Sequence, residues 1–206
     1  MYRIHKQKTE GMPTRRPAVR WTALLAALCM VFVTASCRDN TVDDQDLTES
    51  LVKSYIEAFC SYDISKMNKN SLSKWEVYAD GDEVTTSCKL LASKIKWTTE
   101  SINVSGNSAI AQVNLTRPAD FNGICREALD DTMLQLEQDS DRLPAEVLNL
   151  SIKNYANRAD KISITVEISM SKVNNQWYIA KSQDVTDLLS DIRTPVAAVY
   201  SVIGQS

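Results

Sequence analysis

The stretch Ile162-Ser163-Ile164-Thr165-Val166-Glu167-Ile168-Ser169-Met170-Ser171 decides how this chain is read. Apolar and polar side chains alternate along its whole length. A period of two puts one set on each face of a strand, so one face is buried and the other wet. Val173-Asn174-Asn175-Gln176 then turns the chain, and Trp177-Tyr178-Ile179-Ala180 opens a partner strand. The unit reads as an antiparallel hairpin.

Working outward, residues 96–104 are rich in Trp, Thr, Ile and Val. In residues 108–117, Ala109, Ala111, Val113 and Leu115 alternate with polar neighbours such as Gln112 and Asn114. Ser105-Gly106-Asn107 between them predicts a second hairpin with a three-residue loop, ended by Pro118. The rest reads as helix. Leu47, Leu51, Val52, Tyr55, Ile56, Phe59 and Tyr62 recur at helical steps. Asp46 and Glu49 are spaced as a capping box, which predicts a helix start near 46. Asp63 is placed to cap a short piece over 64–68. Asp80-Gly81-Asp82 marks a break before a helix over 82–94. Residues 120–160 form two helical stretches parted by Asp139–Pro144. Leu188, Leu189 and Ile192 suggest a short last helix, ended by Pro195. The apolar tail 196–203 is then either docked on the core or a surface for a partner. The order helix, helix, hairpin, helices, hairpin predicts an α+β fold with N-terminal helices on an antiparallel sheet of hairpins.

Three segments carry a resemblance. Leu51-Val52-Lys53-Ser54-Tyr55-Ile56-Glu57-Ala58-Phe59 with Tyr62-Asp63, the hairpin centred on Gly106, and the ending Asn175-Gln176-Trp177-Tyr178-Ile179 resemble the nuclear transport factor two-like superfamily. The likeness is to its small bacterial lipoproteins of unknown role. It implies a curved, cone-like sheet wrapped over helices, with an apolar interior.

The N-terminal end has a different character. Arg3, Lys6, Lys8, Arg15, Arg16 and Arg20 stand against one acid, Glu10. Residues 21–36 follow without a charge, and then come Cys37 and Arg38. A cationic stretch, a short apolar run and small residues at its end describe a secretory signal, starting at Met1 or Met12. Sixteen residues fall short of the roughly 20 that a stable span needs. Thr34-Ala35-Ser36-Cys37 resembles a bacterial lipobox, with Thr34 where Leu is usual. That resemblance implies cleavage before Cys37 and a thiol carrying fatty acyl chains such as palmitate. Cleavage after Ala35 by the ordinary peptidase, and an uncut anchor, are the competing outcomes. The domain division expected is a signal over 1–36, lipid attachment and tether over 37–46, and one α+β domain over 47–206.

Charge and composition narrow the function. The whole chain carries a formal charge of -3. Removing the signal discards six cations and one acid, so the mature part is more acidic still, which argues against nucleic acid. The one histidine is His5, inside the signal. The mature part therefore lacks the imidazole of Ser-His-Asp and Cys-His catalysis and the commonest zinc ligand. Cys60, Cys88 and Cys125 are widely spaced, with no CxxC pair. Outside the cytoplasm two of them can pair, and Cys60–Cys88 is the pair preferred here.

The expectation is a lipid-anchored protein on the extracytoplasmic face of a bacterial membrane. It is read as non-enzymatic, without cofactor or metal, binding a small apolar ligand or another envelope protein. The alternative is a small-pocket isomerase or hydrolase that uses a buried carboxylate and a tyrosine.

Overall fold

The computed structural model describes residues 44–75, 81–180 and 182–204. The signal, the lipobox and Cys37 lie outside the described residues. Asp43–Ser206 forms one compact unit.

The helix α1 covers 44–60, so it includes Asp44 and Asp46 is already inside it. The predicted N-cap at Asp46 is thus corrected. Thr48 Oγ1 donates to the carbonyls of Asp44 and Gln45, each at 2.9 Å. Val52, Tyr55, Ile56 and Phe59 are buried, as the helical stripe predicts. The turn after α1 holds Tyr62 at φ 52, with the Asp63 N–H on the Ala58 carbonyl at 2.8 Å. A left-handed residue there closes the last carbonyls of a helix. Asp63 then caps α2, Ile64–Lys69, by accepting from the Lys66 N–H at 2.9 Å.

After α3, Asp82–Ala92, come β1, Lys96–Ser105, and β2, Ser108–Pro118. Two helices follow, α4, Phe121–Gln138, and α5, Pro144–Arg158, then β3, Lys161–Val173, and β4, Gln176–Ile179. The last helix, α6, spans Gln183–Ile203. The sheet order is β1-β2-β3-β4, antiparallel throughout. This is the α+β architecture that the two hairpins and the helical stripes predict.

Both hairpins close through two-residue turns. Ser105 pairs with Ser108, so the loop is Gly106-Asn107 rather than three residues. Gly106 takes φ 59, which a glycine adopts without steric cost. Asn174 and Asn175, at φ 50 and 65, make a turn with both central residues left-handed, the twist that suits a hairpin. Between Thr99 and Ser101 the β1–β2 register shifts, leaving Glu100 as an extra residue. A bulge of this kind bends a strand and increases its twist.

The core lies under one face of the sheet. Ala109, Ala111, Val113 and Leu115 of β2 share it with Val166, Ile168 and Met170 of β3, and all are buried with the helical stripes in one cluster. The sheet edge at β4 is covered. The Leu72 N–H donates to the Ile179 carbonyl at 3.0 Å, and the Ile179 N–H to the Asn70 carbonyl at 2.8 Å. Where β4 stops, the start of α6 takes over along β3. Ser182 Oγ donates to the Glu167 carbonyl at 2.9 Å, and the Glu167 N–H donates to Asp184 at 3.2 Å.

One expectation is overturned at the C-terminal end. Pro195 does not end the last helix but sits inside it. Val196, Val199 and Ile203 beyond it are buried, so core burial outweighs the hydrogen bond that Pro195 lacks. One side of the tail is therefore docked on the core, while Val202 on the other is exposed.

Candidate functional site

The parity of β2 carries past its apolar run. Ala109, Ala111, Val113 and Leu115 point inward, and the next position in step is Arg117. The same happens on β3, where Val166, Ile168 and Met170 are followed in step by Lys172. A cation thus closes each end of the inner face, and the two ends lie about 30 Å apart along the strands.

Their surroundings differ. Lys172 Nζ is 2.6 and 2.9 Å from the two carboxylate oxygens of Asp44, and Trp177 Nε1 donates to the same carboxylate at 3.0 Å. Hydrogen bonds from Lys172 and then Trp177 hold the Asp44 carboxyl below its ordinary range. Asn107 accepts the Lys172 N–H at 2.8 Å on its carbonyl, so both hairpin turns gather at this end. This corner is closed and satisfied.

Arg117 is not. Its side chain is 14% exposed. Nη1 donates to the Pro118 carbonyl at 3.2 Å. Nη2 stands 3.7 Å from Asp191 Oδ2, an ion pair too long for a hydrogen bond. Nε is enclosed and has no acceptor. The guanidinium carbon lies 5.3 Å from the centre of the Phe121 ring, a cation–π arrangement that fixes the plane of the fork. Burying a charged donor without an acceptor is costly, so this arrangement invites one.

An open cleft of about 510 Å³ lies beside it, between the start of α4 and the middle of α6. Ala119, Asp120, Phe121 and Asn122 form one wall. Asp120 caps α4, accepting from the Gly123 N–H at 2.8 Å. The opposite wall is one face of α6, with Ser190, Asp191, Thr194, Pro195 and Ala198. Those side chains are small, which is why a gap remains. Pro195 has no N–H to donate to the carbonyl of Asp191, four residues earlier. Asp191 thus brings a carboxylate to the cleft, and its carbonyl has no N–H from Pro195. A smaller cleft of about 250 Å³ lies on the other side of the α4 start, lined by Gly123, Glu127, Tyr155 and Arg158 among others.

Among the described residues, no disulfide joins Cys60, Cys88 or Cys125. Cys88 lies in the core on α3, near Cys125 and Tyr200. Cys60 lies near the end of α1 and feels Glu57. Burial pushes the Cys125 thiol up to about 12 and the Cys60 thiol up to about 11. Among the described residues, no group of three or more His, Cys, Asp or Glu is placed to hold a metal ion.

The buried polar side chains among the described residues are Thr48, Ser71, Ser87, Thr132, Ser151 and Ser182, all hydroxyls. Ser87 joins three helices, donating to Asn149 at 2.5 Å and lying 3.1 Å from the Tyr200 hydroxyl. Tyr55 is enclosed in the core with its hydroxyl unpartnered, its ring 5.7 Å from that of Trp75. Sequence reasoning passed over Arg117 as the last residue of a strand. Its inward parity was the signal that could have found it.

Comparison with known proteins adds two similar structures. One is YcdA, a candidate lipoprotein of Bacillus subtilis, at 15% identity and TM-score 0.37, covering 69% of this chain and 46% of that one. The chain thus spans less than half the length of that protein. The other is an NTF-2-like protein of unknown function from Shewanella oneidensis, at 13% identity and TM-score 0.35, covering 66% of this chain and 98% of that one. No family model matches the chain, and no curated protein does. Among the described residues, no helix is long and apolar enough to cross a membrane.

Proposed function

We propose that this chain is an exported protein, held by lipid on Cys37 at the extracytoplasmic face of a bacterial membrane. Its folded body is a non-enzymatic binding module, and the cleft beside Arg117 is its ligand site. The observation that carries the binding reading is the state of Arg117, a mostly enclosed cation with donors to spare at the edge of a cleft. The cleft's volume lies in the range of small-molecule sites. The leader sequence and the Thr34-Ala35-Ser36-Cys37 stretch support export and anchoring. Asp44, the first described residue, sits at the Lys172 end of the sheet, whereas Arg117 is at the other end.

Two measurements test this. Mass spectrometry of the mature protein is expected to show an N-terminal Cys37 with added acyl mass. Cleavage after Ala35, or an intact leader, overturns the anchor. Solvent extraction of the purified protein is expected to release a small molecule that Arg117→Gln no longer retains. Equal retention by the folded variant overturns the site.

A further inference from the structure

We propose that the cleft takes a small zwitterion of the α-amino-acid type, an inference that rests on reading the cleft as the ligand site. The carboxylate end is defined by Arg117. With Nη1 committed to the Pro118 carbonyl, the Nε–Nη2 edge is the part of the fork left over. A guanidinium N–H donates a strong, charge-assisted hydrogen bond to a carboxylate oxygen. Nε itself is enclosed, so the donor at the cleft, 3.7 Å from Asp191 on the opposite wall, is Nη2. The α4 helix starts on the same wall, and its N-terminal end carries positive potential.

The ammonium end is defined by α6. Asp191 is ion-paired with Arg117 Nη2 at 3.7 Å, too long for a hydrogen bond, and its side chain is 55% exposed, so a ligand ammonium can take that pairing over. The Asp191 carbonyl has no N–H from Pro195. The hydroxyls of Ser190 and Thr194 lie on the same face.

Charge decides against simpler ligands. The cleft holds one guanidinium and two carboxylates, Asp120 and Asp191. A plain anion meets two like charges beside its one partner, and a plain cation meets Arg117. A molecule with both charged groups on one carbon satisfies each wall. Phe121, Pro195 and Ala198 leave apolar surface for a short aliphatic side chain.

The test is calorimetric titration of the full-length protein in detergent with three probes. They are L-leucine, 4-methylpentanoate, which lacks the ammonium, and leucinamide, which lacks the carboxylate. L-leucine is expected to saturate, with each of the other two at least about tenfold weaker. Asp191→Asn, an exposed change that leaves the fold intact, is expected to bring L-leucine down to the level of 4-methylpentanoate. Arg117→Gln is expected to lose L-leucine about tenfold or more, with Arg117→Lys recovering part of it. Equal binding of 4-methylpentanoate and L-leucine by the wild type overturns the zwitterion. So does the absence of any saturation while the extracted compound still depends on Arg117, and the ligand-site reading survives both results. If neither the probes nor the extract depends on Arg117, both fall.

Discussion

Asp44 on the first described turn of α1 and Lys172 on β3 form an ion pair of 2.6 Å, with both side chains only 16% exposed. It joins residues far apart in sequence, and it fastens the start of the N-terminal helix to the second hairpin. The carboxyl is held below its ordinary value of 3.8, first by the Lys172 hydrogen bond and then by that of Trp177. A carboxyl lowered in the folded state stabilises it fully above the ordinary value. That contribution fades as pH falls through the lowered one. Asp44→Asn is therefore expected to be less stable than the parent at pH 6, with the gap closing below about pH 3.8. Urea unfolding of both proteins between pH 6 and 2.5 measures this. A gap that stays constant with pH contradicts it.

The turn at Asn174-Asn175 carries two left-handed residues, neither of them glycine. Asn tolerates that region and Gly enters it freely. Asn-Gly is the favoured pair for a two-residue turn of this type. Asn175→Gly is expected to stabilise the protein by about 0.5 kcal/mol. The same change at Lys172 or Gln176, where the strand needs a side chain, is expected to cost stability. Denaturant midpoints at constant slope distinguish the two.

Some of this was legible in the chain and some was not. Alternation over 162–171 is a local signal, and β3 follows it closely, as β2 follows Ala109 to Leu115. The α1 stripe holds from Val52 to Phe59 for the same reason, while Leu47 at its start is exposed. The end of α6 failed because proline's local effect was weighed alone, while the burial of Val196, Val199 and Ile203 is set by the whole core. Arg117 and Lys172 are the instructive pair. Both continue an apolar parity with a cation, which sequence shows. Only the fold shows that Asp44 completes one of them and that a cleft adjoins the other.

Pro195 inside α6 forfeits one helix hydrogen bond, and a proline in an open helix interior costs about 3 kcal/mol relative to alanine. Here the ring is buried, so its removal also forfeits packing. Pro195→Ala is expected to gain about 1 kcal/mol net, because the restored bond to the Asp191 carbonyl outweighs the lost ring contacts. It is also expected to weaken L-leucine in the cleft, since that carbonyl is returned to the helix. A rise in the denaturant midpoint with a fall in affinity is the paired signature. A rise with unchanged affinity removes the carbonyl from the ammonium end.

Cys60 and Cys125 differ in reach more than in chemistry. Burial raises both thiols, Cys60 to about 11 and Cys125 to about 12, so both are neutral at physiological pH. The thiolate is the species that alkylates. Cys60 is half-buried, and Cys88 and Cys125 are buried. At pH 8 iodoacetamide is expected to modify Cys60 slowly, and Cys88 and Cys125 only as the protein unfolds. Raising the pH toward 10 is expected to speed Cys60 about tenfold per unit, because the thiolate fraction of a group titrating near 11 grows in that proportion. Peptide mapping after timed alkylation, with and without urea, reads all three sites. If Cys60 resists alkylation even in urea without reductant, it is in a disulfide, and free-thiol packing does not describe the exported protein.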